Sequence, residues 1–213
     1  MSFLNAITKN VHFKLRIGGI RMDLSFLKVA DLSPQELTAL RSYKTAEDSA
    51  DGESKCFELN RELRNGILVT ELSHSLREIA DGLDSAFRRC PVLNDSCTVY
   101  RGTGFRQALP LHEIGKRFRS LQFWSTASSE GPLEPFLKLG AHAAILELRL
   151  PKGLPVYNLE TLDGAGGSEQ ELLLPRGILW RVEKANREPV SPFLKSCKVE
   201  SLCRAVLTVE AWT

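Results

Sequence analysis

The chain has 213 residues, of which 43% are hydrophobic and 25% are charged, a composition typical of a globular protein with a substantial core. Its formal net charge of +2 gives no strong field for attracting nucleic acid or an anionic membrane. No apolar run approaches the roughly 18 residues that a bilayer-spanning helix needs, so we expect neither nucleic acid nor membrane as a partner.

Residues 1–30 alternate weakly between polar and apolar, and we expect an arm of uncertain role ahead of a single domain at residues 31–213. The first ten residues lack the charged start, apolar stretch and small-residue cleavage site of a secretory signal. Five cysteines without a C-x-x-C pair indicate thiols in a reducing compartment. The four histidines are scattered without ligand spacing, so no metal is expected.

The first part of this domain, residues 31–90, reads as helices. A helix is predicted to begin at Ser33, whose hydroxyl can accept a backbone N–H while Glu36 reaches back to complete a capping box. A second apolar stripe runs over residues 56–67 with an Asn-Gly pair as a stop or a kink, and helical spacing of apolar residues continues over residues 68–87.

After residue 90 the pattern changes to short β-branched and aromatic runs separated by glycine and proline, which indicates strands over residues 91–213. The predicted strands lie at 97–101, 121–126, 143–150, 154–157, 171–175, 177–182 and 205–211. A helical lobe followed by such strands predicts an α+β fold with two packed, mainly antiparallel sheets.

Three of the segments carry polar side chains in apolar settings: Val99-Tyr100-Arg101-Gly102, Phe123-Trp124-Ser125-Thr126 and Ser168-Glu169-Gln170-Glu171-Leu172-Leu173-Leu174-Pro175. Their order, arginine, then serine, then Glu-x-Glu, resembles the R-S-E class of mono-ADP-ribosyltransferases, with the likeness spanning roughly residues 60–185. The resemblance implies a fold whose two sheets form an NAD cleft, with NAD as a substrate whose nicotinamide–ribose bond is cut.

The resemblance also implies roles on the NAD side of the site. Arg101 would hold the pyrophosphate through its fork of donors, and Gly102 would let the ligand approach the backbone. Ser125 matches the family serine that steadies the catalytic glutamate, and Thr126 matches the next family position. Glu171 would bind a ribose hydroxyl and lie beside the developing positive charge of the sugar.

Glu169 precedes Glu171 by two residues, so in an extended chain both carboxylates point to the same face. In the family this earlier glutamate binds and activates an arginine of the target protein, whereas a glutamine there accompanies other acceptors. The family's target-recognition loop would correspond to residues 158–170 and would include Gly166, Gly167 and Ser168.

Two features depart from the family pattern. Relatives commonly read Ser-Thr-Ser, whereas this chain has Ala127 at the third position, with consequences for activity that the sequence leaves open. The loop before Ser168 lacks the aromatic residue that often packs against a target. Taken singly, Arg101 and Ser125 are also compatible with ordinary strand residues, and the Glu-x-Glu pair with the solvated face of an edge strand.

These observations predict an enzyme that transfers ADP-ribose from NAD to an arginine of a target protein. We expect a monomeric bacterial effector or toxin, or a phage modifier, injected without a Sec signal and acting on a protein of the host cytosol; the alternative location is cytoplasmic. Two other functions stay open: an NAD glycohydrolase, in which water replaces the protein acceptor, and an inactive interaction module with the same fold.

Overall fold

The computed structural model describes residues 14–17, 20–23, 32–44, 54–104, 113–133, 137, 143–159, 162, 171–189 and 201–212. Its helices are α1 (Pro34–Lys44), α2 (Lys55–Arg64) and α3 (His74–Arg89), with 3₁₀ turns at Val69–Glu71 and Gly131–Leu133. Its strands are β1 (Lys14–Ile17), β2 (Ile20–Asp23), β3 (Cys97–Gly104), β4 (Arg117–Arg119), β5 (Trp124–Ala127), β6 (Ala143–Leu150), β7 (Tyr157–Asn158), β8 (Glu171–Leu174), β9 (Leu179–Pro189) and β10 (Ser201–Ala211).

The strands confirm the predicted α+β class. β1 and β2 pair with each other, and the other eight strands form one sheet in the order β4-β9-β10-β6-β3-β5-β8-β7. β6 and β10 run parallel, while the other described pairs are antiparallel. The two sheets expected from the sequence are two halves of this sheet. The halves join between β3 and β5, where the register has one pair, Tyr100 opposite Ala127.

The first helix begins as the sequence predicts. The Ser33 N–H donates to Glu36 Oε2 at 2.8 Å, and the Glu36 N–H donates to Ser33 Oγ at 3.3 Å. These reciprocal bonds satisfy two donors that a helix start otherwise leaves open. Glu36 also accepts hydrogen bonds from Ser85 and Arg89 of α3, so the same carboxylate fastens α1 to α3.

The helix predicted over residues 68–87 is in fact interrupted. Leu72 and Ser73 have extended backbone, with ψ of 156° and 155°, and they separate the 3₁₀ turn from α3. In the turn, Glu71 Oε2 accepts the Leu68 N–H at 3.1 Å, which satisfies a backbone donor locally. The predicted stop after α2 is confirmed, since Gly66 has a φ of +86°, a conformation that favours glycine.

Successive side chains of β8 point to two different hydrophobic clusters, and this alternation determines which face of the sheet carries the candidate site. Leu172 and Leu174 belong to a cluster with Trp124, Trp180 and the inner residues of β6 and β10. Leu173 packs on the opposite face, against the helices and Phe123. Because side chains two residues apart share a face, Glu171 faces the helices as Leu173 does.

Sequence patterns misplaced several strand boundaries. β4 was not predicted; its Phe118 lies opposite Trp180 of β9, and its other two residues are exposed arginines. A three-residue strand with this composition has too little apolar alternation to be recognised. β5 begins at Trp124 rather than at residue 121, and β9 and β10 each extend to 11 residues because they pair with each other along most of their length.

Other sequence predictions lie partly outside the described residues. Of the predicted arm at 1–30, only the β1–β2 hairpin is described, so the proposed domain boundary stays a prediction. Within the described part of the chain, no disulfide joins the cysteines Cys56, Cys90, Cys97 and Cys203. None of the described helices has both the length and the apolar character that crossing a membrane requires.

Candidate active site

Glu171 lies at the first position of β8, and both of its carboxylate oxygens are occupied. Ser125 Oγ donates a hydrogen bond to Oε1, and Lys44 Nζ lies 2.9 Å from Oε2. The Lys44 and Glu171 side chains are only 7% and 13% exposed. A carboxylate in these surroundings is fixed in orientation and exchanges little with water.

Ser125 reaches Glu171 across the β5–β8 ladder. Its register partner is Leu173, and Glu171 lies opposite Ala127. Thr126 lies between Ser125 and Ala127 on β5, and its side chain points to the opposite face of the sheet. Its hydroxyl donates a hydrogen bond to the Leu172 carbonyl at 2.8 Å. The structure thus brings Ser125 to Glu171 and places the Thr126 hydroxyl in the β5–β8 ladder instead.

Arg101, on β3, completes a chain of contacts to the carboxylate. Its Nη1 donates to the Ser125 backbone carbonyl at 2.5 Å. Its guanidinium lies 5.7 Å from the centroid of the Trp124 ring, which stacks on Trp180 at 5.1 Å. Arg101 and Glu171 therefore contact the same serine, Arg101 through its backbone and Glu171 through its hydroxyl.

Burial and the neighbouring charges both affect the pKa of Arg101, which is partly buried. Burial lowers the pKa of its guanidinium, and the positive charge of Arg64 on α2 lowers it further, while Tyr43 and Glu171 act in the opposite direction. Arginine stays protonated under these conditions. Arg101 and Arg64 therefore both contribute positive potential to this region, which favours a negatively charged ligand.

Gly102 follows Arg101 in β3, opposite Ile145 of β6. The remaining predicted site residues, Gly166, Gly167, Ser168 and Glu169, lie outside the described residues. The position of Glu169 relative to Glu171 is therefore a prediction from strand spacing alone.

Sequence reasoning missed the contribution of the helical lobe to this site. Tyr43 of α1 is buried, its hydroxyl accepts a hydrogen bond from Asn60 Nδ2 at 2.7 Å, and it lies 3.5 Å from the Phe123 carbonyl. The buried Oδ1 of Asn60 has no hydrogen-bond partner among the described residues. In the sequence, Tyr43 lies at helical spacing from Leu37 and Leu40, a pattern typical of core residues, and Lys44 follows it directly.

Two further observations delimit the site. Among the residues that the structure describes, no three His, Cys, Asp or Glu side chains are grouped so that they could hold a metal ion. A cavity of about 350 Å³ lies elsewhere, lined by Ile114, Gly115, Arg117, Arg181, Val182 and Glu183 beside β4 and β9. It includes none of the residues that surround Glu171.

Comparison of the fold with solved structures identifies several similar proteins. An ADP-ribosyltransferase toxin from Paenibacillus larvae, Plx2a, has a TM-score of 0.65 and 17% identity, over 85% of this chain and 89% of that chain. Exoenzyme S from Pseudomonas aeruginosa, solved with human 14-3-3 protein beta and carba-NAD, has a TM-score of 0.63 and 20% identity, over 84% of this chain and 75% of that chain. C3stau2 from S. aureus, solved with NAD, has a TM-score of 0.59 and 21% identity, over 84% and 88%.

A search of curated protein sequences found no match. A family model does match: the model described as ADP-ribosyltransferase exoenzyme covers residues 27–201. This range contains the three segments on which the predicted resemblance depends, together with α1, α2 and α3. The chain belongs to the ADP-ribosyltransferase exoenzyme family.

Proposed function

We propose that this protein transfers ADP-ribose from NAD to an arginine side chain of a target protein and releases nicotinamide. The observation that supports this most is the contact of both Arg101 and Glu171 with Ser125, because a guanidinium and a carboxylate then meet at one residue. Exoenzyme S and C3stau2, which have the same fold, were solved with carba-NAD and NAD respectively.

In this proposal Arg101 binds the pyrophosphate of NAD. Its remaining N–H groups, together with the nearby charge of Arg64, match the negative charges of the two phosphates. Gly102, which has no side chain, leaves room for the ligand beside the strand. The cation–π contact with Trp124 and the hydrogen bond to the Ser125 carbonyl keep the guanidinium in place before NAD arrives.

Glu171 acts on the ribose that is joined to nicotinamide. When the bond between ribose C1′ and the ring nitrogen breaks, its electron pair leaves with nicotinamide and the positive charge passes to the sugar. A carboxylate held beside that sugar stabilises the charge, as at glycoside-cleaving sites. The hydrogen bond from Ser125 keeps the Glu171 carboxylate in one orientation, so little reorganisation is needed as the charge develops.

Glu169 acts on the acceptor side. A guanidinium is protonated at any ordinary pH and is a poor nucleophile. In our proposal the Glu169 carboxylate orients the target arginine and accepts a proton as a guanidine nitrogen forms its bond to C1′. The assignment rests on the Glu-x-Glu spacing and on the family resemblance, with Gly166, Gly167 and Ser168 as part of the loop that meets the target.

The biological setting belongs to the same proposal. Exoenzyme S was solved together with human 14-3-3 protein beta, and Plx2a is a toxin. By analogy, we propose that this protein is a monomeric bacterial effector or toxin, or a phage modifier, that acts on a protein of the host cytosol.

Mass spectrometry of host-cell proteins after incubation with the purified protein and NAD tests the proposal. Wild-type protein is expected to add ADP-ribose to arginine side chains, and Glu171→Ala is expected to add none. Modification confined to another type of residue would contradict the arginine assignment. Absence of both modified protein and released nicotinamide would contradict NAD-dependent transfer as a whole.

Glu169→Gln separates transfer from hydrolysis. It is expected to abolish arginine modification while NAD hydrolysis continues, since water needs no carboxylate to orient a guanidinium. Glu113→Gln serves as the matched control, because Glu113 is an exposed glutamate paired with Lys116. This variant is expected to keep both activities. Equal loss of both activities in Glu169→Gln would contradict a special acceptor role. Hydrolysis without any protein modification by the wild type would instead identify an NAD glycohydrolase.

A further inference from the structure

Lys44 is a charged residue of the site that the proposed reaction does not use. It is the last residue of α1, and its Nζ lies 2.9 Å from Glu171 Oε2. We propose that Lys44 is the resident counter-ion of Glu171, and that the nicotinamide riboside of NAD, whose ring is positively charged, displaces it on binding. The inference rests on the proposed function, because it assumes that NAD is the ligand.

The pair is buried enough for its charges to matter. Lys44 is 7% exposed and Glu171 is 13% exposed, so water screens their attraction far less than it would at the surface. Before NAD binds, the ammonium therefore offsets most of the negative potential at the carboxylate. A buried carboxylate without such a partner would be costly, which explains why a counter-ion is present.

The end of α1 that carries Lys44 is anchored beside β5. The preceding residue, Tyr43, is buried, and its ring meets Phe123 edge-on at 6.2 Å. Its hydroxyl also accepts a hydrogen bond from Asn60 of α2. The backbone of Lys44 is thus held next to the site, while the four-carbon stem of the side chain can swing without moving the helix.

NAD brings a competing cation to the same carboxylate. Its nicotinamide ring is positively charged, and this charge passes to the ribose as the glycosidic bond breaks. Two cations within a few ångströms of one another repel strongly in a site with little water. Lys44 left on Glu171 would oppose the charge that Glu171 is proposed to stabilise, so productive binding requires the ammonium to move away.

Two nucleotides differing in the charge of the ring can test this. Carba-NAD carries the cationic ring and cannot be cleaved, whereas NADH carries a neutral dihydronicotinamide. We expect Lys44→Gln, which removes the charge but retains a hydrogen-bond donor, to lower the Kd for carba-NAD relative to that for NADH by about tenfold. Isothermal titration calorimetry with the folded variant measures both constants.

Two controls separate charge from structure. Lys44→Arg keeps the cation and is expected to keep the wild-type ratio of the two Kd values. Lys116→Gln removes a lysine from an exposed ion pair with Glu113, 41% and 67% exposed, and is also expected to keep the ratio. If Lys44→Gln has the same ratio of the carba-NAD and NADH Kd values as the wild type, even with both constants changed, the proposed displacement of Lys44 is wrong.

A second measurement applies even when Lys44→Gln does not fold. A crystal structure of the wild type with carba-NAD is expected to show Lys44 Nζ more than 4 Å from both Glu171 oxygens, and an intact pair in that structure would overturn the inference. A wild type that binds neither nucleotide would contradict the proposed function itself. A wild type that binds carba-NAD while Lys44 stays on Glu171 would contradict only the inference about Lys44.

Discussion

Ser125 and Glu171 are hydrogen-bonded although they are not opposite each other in the β5–β8 ladder. The register pairs Ser125 with Leu173, so the serine hydroxyl reaches diagonally along one face to the glutamate. Diagonal neighbours on one sheet face lie about 7–8 Å apart, a distance that the glutamate side chain spans. The position directly opposite Glu171 belongs to Ala127.

Removing the Ser125 hydroxyl is expected to impair catalysis more than stability. Ser125→Ala deletes a hydrogen bond to a charged acceptor, which is worth about 1.5–3 kcal/mol, so we expect NAD cleavage to fall by about 10- to 100-fold. Steady-state kinetics with denaturant unfolding check both quantities. Ser96→Ala, an exposed serine ahead of β3, is the control. Wild-type kcat/KM in Ser125→Ala would contradict a positioning role for the hydroxyl.

Ala127→Ser restores the residue that relatives commonly have at this position, and we expect it to change activity little. Ala127 packs with Leu133, Leu137 and Ile145, so a serine there would place a hydroxyl at the edge of an apolar cluster. Ser125 already donates a hydrogen bond to Glu171 Oε1. We expect kcat/KM to stay within about threefold of wild type, with a stability loss of about 1 kcal/mol. A tenfold gain in kcat/KM would show that the alanine limits catalysis.

Glu36 should make the stability of the helical lobe depend on acid pH. Burial alone would raise the pKa of its carboxyl, but hydrogen bonds from Ser33, Ser85 and Arg89 outweigh burial and hold the pKa at about 2 rather than 4.5. The folded protein thus favours the ionised form. This stabilisation is present above about pH 4.5 and is lost as the pH falls towards 2.

Glu36→Gln tests this dependence through urea unfolding at several pH values. We expect the variant to be less stable than wild type by about 2 kcal/mol at pH 7, and the difference to shrink as the pH falls below 4.5. Glu78→Gln, an exposed carboxylate on α3 that is 62% exposed, is the control and should show no such loss. A pH-independent difference would mean that Glu36 contributes through packing rather than through its charge.

Gly82 permits the close crossing of α1 and α3. A Cβ added at Gly82 would lie 2.5 Å from the Cβ of Ala39, and neither atom can move without its backbone. We expect Gly82→Ala to lose about 1–3 kcal/mol of unfolding free energy, although alanine is the better helix former by about 1 kcal/mol. Ala39→Gly should recover part of this loss in the double variant, and Gly131→Ala, with open space around it, is the control. Strictly additive losses would rule out a clash between the two positions.

The sequence was most informative where several local signals agreed. The capping box at Ser33, the alternation of β6 and the glycine after α2 all predicted elements that the structure contains. The family and the α+β class were likewise predicted, from three segments whose order is distinctive. Which roles Arg101, Ser125 and Glu171 have in the reaction stays a prediction until activity is measured.

Other features depend on contacts that no local pattern encodes. Lys44 is a lysine in the last turn of a helix, as many exposed lysines are, and only the packing of Tyr43 on Phe123 brings it to Glu171. β4 forms because it pairs with β9 at the edge of the sheet, where Phe118 lies opposite Trp180. The diagonal position of Ser125 follows from strand register, which long-range pairing determines.

The central claim is that Glu171 stabilises the sugar as the nicotinamide bond of NAD breaks, and release of nicotinamide from NAD measures this most directly. We expect the wild type to release nicotinamide, and folded Glu171→Gln to release it at least about 100-fold more slowly. The control Glu78→Gln, at a side chain that is 62% exposed, should match the wild type. Equal release by folded Glu171→Gln and wild type would contradict the account.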